Sequence, residues 1–516
     1  MPKKLYRILI RRRLLVICSL VLQLVMFVLL IINGSRISVL IEYGLTIVSI
    51  LVALYIVGES ANGAYKLIWI MLILSFPIFG GSLYIFFNYQ ASMKQFQEDF
   101  KRANEKCRDL FRWPGDYYKD ACEKLPENRT QIQYLQRFAG FPVYGRTDAK
   151  YLTPGEVKFE AIIEALKKAE KYIFLEYFSI HAGIMWNTIL EILKQKAAAG
   201  VDVRIIYDDV GCLLLLPKDY TTRLEKMGIK GVVFNPMRPI LLAKQNNRDH
   251  RKIAVIDGKI AITGGINIAD EYINALDKYG HWKDAAVQVE GEAAWSFTLM
   301  FLQIWSVCTK TDEDFSLFYP QPNGPAPPEN RNAGGEGFVQ PYADSPLDNE
   351  RISENVYMQV ICSAKDYIYI NTPYLVLDEN MLSALSLAAK SGVDVRIVTP
   401  QRPDKKYVHM VTKSYYLELI RAGVKVYEYI DGFIHAKTFV SDDNVATVGT
   451  ANLDYRSLYL CFECGVCLYK KAIVKEIHGD FINTLKRCRL ITERECNGRR
   501  FHTLFQGLMR FLAPLL

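Results

Sequence analysis

A histidine, a lysine two positions later and an aspartate seven positions later occur together twice in this sequence. The residues are His250, Lys252 and Asp257 in HRKIAVID and, 185 positions further on, His435, Lys437 and Asp442 in HAKTFVSD. Each set continues with a glycine at +14 and an asparagine at +17 from its histidine, namely Gly264 and Asn267, then Gly449 and Asn452. Agreement at all of these offsets predicts an internal duplication in which each half contributes one copy of a site.

These residue types together favour chemistry on a phosphate. In a strand, residues two apart point to the same face, so each motif histidine is expected beside its lysine. Two halves packed around a pseudo-twofold axis would bring both pairs, with Asn267 and Asn452, to one small volume. Lysine and asparagine donors suit the nonbridging phosphate oxygens. One histidine can attack phosphorus while the other protonates the departing oxygen, and this chemistry requires no metal.

The acidic residues are expected to play two different parts. Asp257 and Asp442 lie at odd offsets from their histidines, so their side chains should point away from the site and anchor the fold. Two carboxylates further downstream are candidates for orienting the histidines: Asp284 in HWKD, 34 positions after His250, and Glu463, 28 positions after His435. A carboxylate on one ring nitrogen fixes the tautomer of an imidazole.

The segments around each motif predict an α/β fold built from two similar halves. KYIFLEYF from Lys171 and GVDVRIIYDD from Gly200 are matched by DYIYINTPY from Asp366 and GVDVRIVTP from Gly392. Apolar, β-branched runs that alternate with helical stretches indicate mixed, largely parallel sheets flanked by helices. We expect the halves to span residues 131–310 and 351–495, joined by a Pro/Gly-rich linker over 311–350.

The first ninety residues are predicted to form a transmembrane segment. Stretches 14–32 and 67–87 contain no charged residue, and 37–57 contains only Glu42. About 20 apolar residues cross a bilayer, so two or three spans are expected, depending on whether 37–57 crosses or lies in the interface. A multi-pass protein of the cell membrane is therefore expected. A polar helical stalk should follow over residues 91–130, and residues 496–516 should form an amphipathic tail.

The net charge of +8 does not indicate a nucleic-acid partner. Six basic residues precede residue 14, which leaves about +2 for the rest of the chain. A basic flank beside an apolar stretch is typical of membrane topology and contact with anionic lipid. The cysteines of CFECGVC, which are Cys461, Cys464 and Cys467, lie in an apolar, strand-like run and are interpreted as buried thiols rather than zinc ligands.

HxKxxxxD followed by G[GST]xN, present twice, resembles the phospholipase D superfamily. FPIFGGSLYIFF, NTPYLV, HWKD and GTANLDYRS extend the resemblance, over nearly the whole chain, to the bacterial cardiolipin synthases of that superfamily. The resemblance implies that two phosphatidylglycerol molecules are joined into cardiolipin with release of glycerol, without a metal or cofactor. It also implies that His250 carries the phosphatidyl group and that His435 acts as acid and then as base. Gly265 departs from the pattern, since serine is usual there.

Two alternatives remain open at this stage. A phospholipase D-type hydrolase, or another phosphatidyltransferase, would use the same residues with a different acceptor. A membrane-bound nuclease or an inactive scaffold fits less well, because the part of the chain after the N-terminal segment is nearly neutral and both motifs are complete.

Overall fold

A computed structural model describes residues 18–28, 32, 36–59, 63–88, 91–112, 116–237, 243–320, 337–348, 350–496 and 507–515. Several sequence predictions fall on residues outside these ranges: the basic N-terminus, parts of stretch 14–32, linker residues 321–336 and tail residues 497–506. The chain divides into two compact units. The first comprises Met1–Phe96, Met237–Asn246 and Phe511–Leu516, and the second comprises Gln97–Pro236 and Asn247–Arg510.

The N-terminal unit is helical where it is described. Its helices cover residues 18–28, Arg36–Gly58, Gly63–Ser75 and Pro77–Asn88. The predicted stretch 67–87 is divided between two helices because Pro77 lacks an N–H group and begins the second one. A small apolar cluster joins these helices, formed by Ile56, Trp69, Ile73 and Tyr84. Across the described residues, no helix combines the length and the apolar character of a membrane span.

The second unit contains a seven-stranded sheet built from the first half of the repeat. The strands of this half are β1 Thr147–Leu152, β2 Tyr172–Tyr177, β3 Asp202–Asp208, β4 Lys230–Phe234, β5 Arg248–Asp249, β6 Lys252–Ile256, β7 Ile260–Gly264, β8 His281–Lys283 and β9 Ala286–Gly291. The order in the sheet is β1-β9-β7-β6-β2-β3-β4. Strands β5 and β8 lie outside this sheet and pair with strands of the other half.

The second half forms a similar sheet. Its strands are β10 Phe338–Asp344, β11 Tyr367–Asn371, β12 Asp394–Pro400, β13 Lys425–Tyr429, β14 Gly432–Ile434, β15 Thr438–Ser441, β16 Val445–Gly449, β17 Cys461–Tyr469 and β18 Cys488–Leu490. The order is β10-β17-β16-β15-β11-β12-β13-β18, with β5 paired to β17, while β14 pairs with β8. Strand β10 lies inside the predicted linker, so residues 338–344 belong to the fold rather than to an exposed connection.

The prediction of largely parallel sheets is wrong. Only β2-β3 and β3-β4 in the first sheet, and β11-β12 and β12-β13 in the second, run parallel along the main order. The motif strands instead form antiparallel hairpins, β6-β7 and β15-β16. Short turns at Asp257–Lys259 and Asp442–Asn444 leave no room for a crossover helix, and a tight turn joins antiparallel neighbours.

Helices cover both sheets. Within the second unit and at its start they are Ala91–Leu110, Tyr118–Lys124, Arg129–Gln133, Gly155–Lys168, Ile184–Ala198, Tyr220–Glu225, Ala294–Thr309, Ile352–Ser363, Glu379–Lys390, Lys406–Arg421, Tyr455–Tyr459, Ala472–Leu485 and Glu493–Cys496. Helix Ala294–Thr309 is apolar on every side and almost wholly buried, as expected for a core helix. It packs against strands of the first sheet and against β10 of the second, and so joins the two halves.

Part of the predicted polar stalk packs into the second unit. The Cys107 side chain is buried, and the Trp295 indole donates to the Leu110 carbonyl at 2.7 Å. The Tyr144 hydroxyl donates to the Phe111 carbonyl at 3.0 Å. These contacts make residues 107–111 part of the core around helix Ala294–Thr309.

Candidate active site

Each motif histidine lies between a short strand that pairs with the other half and a strand of its own sheet. His250 lies between β5 and β6, and its backbone N–H donates to the Phe462 carbonyl at 2.9 Å. His435 lies between β14 and β15, and its N–H donates to the Lys283 carbonyl at 2.7 Å. The pairings β5-β17 and β8-β14 are both parallel. The backbone therefore places each histidine against the half that does not contain it.

The same pairings bring each histidine to a carboxylate of the other half. Nδ1 of His250 lies 2.8 Å from Oε1 of Glu463, the residue that follows Phe462. Nδ1 of His435 lies 2.7 Å from Oδ2 of Asp284, the residue that follows Lys283. Both candidate carboxylates are thus in contact with a motif histidine, in a crossed arrangement. A carboxylate at Nδ1 favours the tautomer with its proton there and leaves Nε2 with a free lone pair.

Both imidazoles are held neutral. Burial, followed by the charges of Lys252 and Lys437, lowers the pKa of His250 well below its ordinary value. Burial and the Lys437 ammonium lower the pKa of His435 to about 4, against the opposing effect of Asp284. The side chain of His250 is nevertheless 15% exposed to solvent. A neutral, accessible imidazole is suited to attack an electrophile or to accept a proton.

The two motif lysines are buried beside the histidines. The exposed fractions are 0% for Lys252 and 1% for Lys437. The Lys252 ammonium donates to the carbonyl of His250 at 2.5 Å, and the Lys437 ammonium donates to the carbonyl of His435. Burial lowers the pKa of both lysines, that of Lys437 to about 7. The charge of Lys437 also lowers the pKa of His250, so the two motifs are electrostatically coupled.

The two carboxylates differ in their charge state. Burial raises the pKa of Glu463 to about 7, although the Lys252 ammonium opposes the rise. Burial also acts to raise the pKa of Asp284, but His435 and Lys437 outweigh it, so this pKa lies below its ordinary value. Asp284 is therefore ionised at neutral pH, whereas burial favours the protonated form of Glu463.

The Gly-x-x-Asn loops after the motifs support these carboxylates differently. In the second half, the Thr450 hydroxyl donates to Oε2 of Glu463. In the first half the equivalent residue is Gly265, where an added Cβ would lie 2.2 Å from Oδ1 of Asp284. The backbone N–H of Ala285 donates to that oxygen instead, at 2.8 Å. The close approach of Asp284 explains why position 265 has no side chain.

The predicted phosphate-binding asparagines are both bonded to nearby side chains. Asn267 donates from Nδ2 to the Tyr272 hydroxyl at 2.8 Å, and Asn452 donates from Nδ2 to the Ser457 hydroxyl at 3.0 Å. Each partner lies five residues after its asparagine, so the duplication extends to this contact. The Tyr272 ring lies 5.6 Å from the His435 ring, which places the Asn267 loop beside the second histidine.

The motif aspartates lie at the far ends of the motif strands. Both oxygens of Asp257 accept backbone N–H groups of residues 170–172, each at 2.8 Å. Asp442 accepts those of residues 365–367, at 2.8 to 3.1 Å. Strand β6 separates Asp257 from Lys252, a distance of about 17 Å for five residues. The structure therefore does not bring the two aspartates to the histidines.

Two buried residues of the site were not anticipated from the sequence. The Lys158 ammonium donates to the Ile266 carbonyl at 2.7 Å, and burial lowers its pKa to about 7. In the second half, the Tyr357 hydroxyl donates to the equivalent carbonyl, that of Ala451, at 2.9 Å. Lys158 lies among the buried apolar residues of helix Gly155–Lys168. A lysine on the buried face of a helix is unusual, and this position in the sequence could have indicated a partner inside the protein.

In the described ranges, no group of three or more His, Cys, Asp and Glu side chains is placed to hold a metal ion. Cys461, Cys464 and Cys467 are buried along β17. Cys464 contacts the Thr263 hydroxyl at 3.4 Å.

Comparison with known proteins assigns the chain to a family. The family described as cardiolipin synthase, PLD-like domain matches residues 162–289 and 357–485, one match for each half. A cardiolipin synthase of Geobacillus sp. strain WCH70 is 36% identical over 486 residues, which cover 93% of this chain and 93% of that one. The chain belongs to the cardiolipin synthase family.

Further matches extend beyond the two halves. The family described as phospholipase D-nuclease N-terminal matches residues 44–87. An uncharacterized protein of Streptococcus mutans is 44% identical over 464 residues, covering 90% of this chain and 99% of that one. Among solved structures, a phosphatidylserine synthase of Haemophilus influenzae superposes with a TM-score of 0.57 at 14% identity, covering 76% of this chain and 100% of that one. This last likeness concerns the fold alone, and it agrees with two phospholipase D-like halves.

Proposed function

We propose that the protein transfers a phosphatidyl group from one phosphatidylglycerol molecule to another, giving cardiolipin and glycerol. Relatives with the name cardiolipin synthase match more than 90% of the chain, which supports this reaction. The observation that carries the proposal is the crossed pair of histidine–carboxylate contacts, at 2.8 and 2.7 Å. Two imidazoles with free Nε2 atoms beside two buried lysines suit the exchange of one phosphodiester for another.

The reaction proceeds in two displacements. Binding of the phosphodiester anion would stabilise the imidazolium of His435, so that its Nε2 takes up a proton from solvent before the reaction. Nε2 of His250 attacks phosphorus, the P–N bond forms, and the P–O bond to glycerol breaks as Nε2 of His435 gives this proton to the leaving oxygen. The second phosphatidylglycerol then gives its terminal hydroxyl proton to His435, and its oxygen displaces His250 from phosphorus. One phosphodiester replaces another, so the overall change in free energy is small and no nucleotide is consumed.

The difference between the carboxylates supports this division of roles. Without substrate, burial and Lys437 keep His435 neutral. The ionised Asp284 opposes this effect, and a bound phosphate anion would oppose it further, so the His435 imidazolium can form with substrate present and act as the acid. Glu463, whose pKa is raised to about 7, offers less negative charge to His250. His250 therefore stays neutral with its Nε2 lone pair available, as a nucleophile requires. The resemblance to the family assigns the same roles.

The lysines and asparagines are proposed to bind the phosphate. Lys252 and Lys437 would donate to the nonbridging oxygens, whose negative charge increases in the transition state. Asn267 and Asn452 would complete this set with their amide groups. Asp257 and Asp442 would act through the fold, by fixing the far ends of the motif strands.

The N-terminal unit is proposed to hold the enzyme in the cell membrane as a multi-pass anchor, with stretches 14–32 and 67–87 as spans and 37–57 as either a third span or an interfacial segment. Large apolar side chains of helix Arg36–Gly58 are exposed, for example Leu40 at 69% and Leu54 at 62%. Exposed apolar surface of this extent is typical of a membrane or protein contact. The lipid substrate would then be within reach of the tethered site.

The test is product analysis with purified full-length protein and phosphatidylglycerol as the sole phospholipid. We expect cardiolipin and free glycerol in equal amounts, and we expect neither from His250→Asn or His435→Asn. Phosphatidic acid as the main product would assign the protein to the hydrolases and contradict the proposal.

A further inference from the structure

Two loops border the site at equivalent positions of the two halves. In the first sheet Tyr177, at the end of β2, lies opposite Lys252, at the start of β6. Strand β3 runs parallel to β2 and therefore ends at the same edge of the sheet, which is called the motif edge. In the second sheet Asn371, at the end of β11, lies opposite Thr438, at the start of β15. Strand β12 runs parallel to β11 and therefore ends at the motif edge of this sheet. The segment that follows β3 is named the leucine loop (residues 209–217). The segment that follows β12 is named the basic loop (residues 401–406), and its last residue begins helix Lys406–Arg421.

The leucine loop exposes apolar side chains at its tip. The exposed fractions are 47% for Leu213, 94% for Leu214 and 40% for Leu215. Leu214 also has a φ of 64°, a left-handed conformation that residues other than glycine and asparagine rarely adopt. A strained backbone that directs an apolar side chain fully outward is unfavourable in water, which points to a partner at this tip.

The base of the leucine loop is fixed to the site. The Ser179 hydroxyl donates to the Gly211 carbonyl at 2.6 Å, and a Cβ added to Gly211 would lie 1.9 Å from the Phe178 carbonyl oxygen. The Phe178 ring lies 5.2 Å from the His250 ring. The exposed leucines are therefore attached, through a close-packed base, to the residue that contacts the first histidine.

The basic loop presents positive charge beside the same site. The side chains of Arg402, Lys405 and Lys406 are exposed. The loop is held by Tyr374, whose hydroxyl donates to Asp404 and whose ring lies 5.5 Å from the Lys405 ammonium. The charge of Lys405 contributes to the field that lowers the pKa of His250, after burial and the motif lysines.

We propose that the two loops together form a contact with the surface of an anionic bilayer, with the tip of the leucine loop among the acyl chains and the basic loop at the phosphate headgroups. Apolar insertion beside basic residues is the combination that binds anionic lipid surfaces. The contact turns the motif edge toward the membrane and lets a phosphodiester enter without leaving the bilayer. This inference rests on the proposed function and adds to it how the substrate is presented to the site.

The first experiment compares Leu214→Asn with Leu317→Asn. Asparagine tolerates the left-handed backbone at 214, so the fold is retained. Leu317 is 77% exposed and lies next to Phe318, whose carbonyl binds Tyr172 at the opposite end of β2, so it is a matched control away from the site. Full-length protein is assayed with phosphatidylglycerol in reconstituted bilayers and with monomeric dihexanoyl-phosphatidylglycerol in detergent.

We expect Leu214→Asn to lower the bilayer rate by about tenfold, the effect of withdrawing one leucine from an apolar phase, and to change the monomer rate less than twofold. Leu317→Asn should leave both rates unchanged. Equal losses on both substrates, or no loss in bilayers, would overturn the proposal.

The second experiment does not depend on catalysis. A photoreactive benzophenone amino acid is placed at position 214 or at position 317, and the reconstituted protein is irradiated in bilayers that contain labelled phosphatidylglycerol. We expect lipid label at 214 and little at 317, and equal labelling would overturn the proposal. If the wild-type protein makes no cardiolipin, the proposed function fails, and this crosslinking still decides whether the leucine loop contacts lipid.

Discussion

Replacing Lys437 by methionine tests whether the motif lysine is retained at a cost to stability. Burial lowers the pKa of Lys437 from the usual 10.5 to about 7. The native state therefore binds fewer protons than the unfolded chain between pH 7 and pH 10.5, and stability rises with pH across this window. The sign is opposite to that of a favourable ion pair: the destabilisation is complete below pH 7 and fades as the pH approaches 10.5.

The magnitude follows from the two pKa values. A pKa difference of one corresponds to about 1.4 kcal/mol, so the lysine lowers the free energy of unfolding by about 5 kcal/mol at pH 6 and about 2 kcal/mol at pH 9. Methionine removes this penalty at both pH values. It also removes the hydrogen bond to the His435 carbonyl, which costs about 1–3 kcal/mol at every pH. The free energy of unfolding of Lys437→Met minus that of the wild type should thus be about 2–3 kcal/mol larger at pH 6 than at pH 9.

The assay is guanidinium unfolding of the detergent-solubilised protein at pH 6 and pH 9. Lys425→Met is the control, because the Lys425 side chain is 50% exposed and pairs with Asp394 at the surface. The control should differ from the wild type by the same amount at both pH values. Cardiolipin formation by Lys437→Met should fall about 10²–10³-fold, the effect of losing one donor to a developing negative charge. A stability difference for Lys437→Met that does not change with pH would refute the reasoning.

Three further predictions follow from the site. Asp257→Asn should lower the free energy of unfolding by about 2–4 kcal/mol, because its carboxylate accepts three backbone N–H groups; chemical denaturation checks this, and wild-type stability would contradict it. Asp284→Asn should lower kcat by about 10²–10⁴-fold, since the His435 imidazolium loses its counter-charge. As a control for folding, the variant should have the circular dichroism spectrum of the wild type. A loss below tenfold would argue against Asp284 as the counter-charge of His435. In the wild type, the fall of kcat/KM with rising pH should steepen above pH about 7, where Lys437 loses its proton in addition to His435. The corresponding break in kcat should lie at higher pH because a bound phosphate stabilises the ammonium. Coincident breaks would show that Lys437 does not contact the phosphate.

The sequence indicated which histidines and carboxylates come into contact, but not how the two halves bring them together. The repeated offsets named both histidines, and HWKD and CFEC supplied the two carboxylates that contact them. The crossed pairing could not be predicted, because it depends on the two- and three-residue pairings β5-β17 and β8-β14. Pairings this short leave no periodic pattern in the sequence. Lys158 was missed for a related reason, since its role depends on a carbonyl 108 residues away.

Two features of the fold were predicted incorrectly or not at all. The apolar runs of the motif strands resemble buried parallel strands, but β6 and β15 are buried on both faces as antiparallel hairpins, so burial alone did not indicate direction. Strand β10 contains Pro341 and follows a Pro/Gly-rich stretch, both of which are typical of a linker. Proline is tolerated there because β10 lies at the edge of its sheet.

The central claim is that His250 carries the phosphatidyl group while His435 moves the proton. The most direct measurement is covalent trapping with phosphatidylglycerol labelled in its phosphate or acyl chains. With His435→Asn, acid-labile label should accumulate on the protein, because release of the intermediate is slowed more than its formation. With His250→Asn, no label should appear. Label on His435 would reverse the roles of the histidines, and the absence of covalent label under every condition would contradict the two-step reaction.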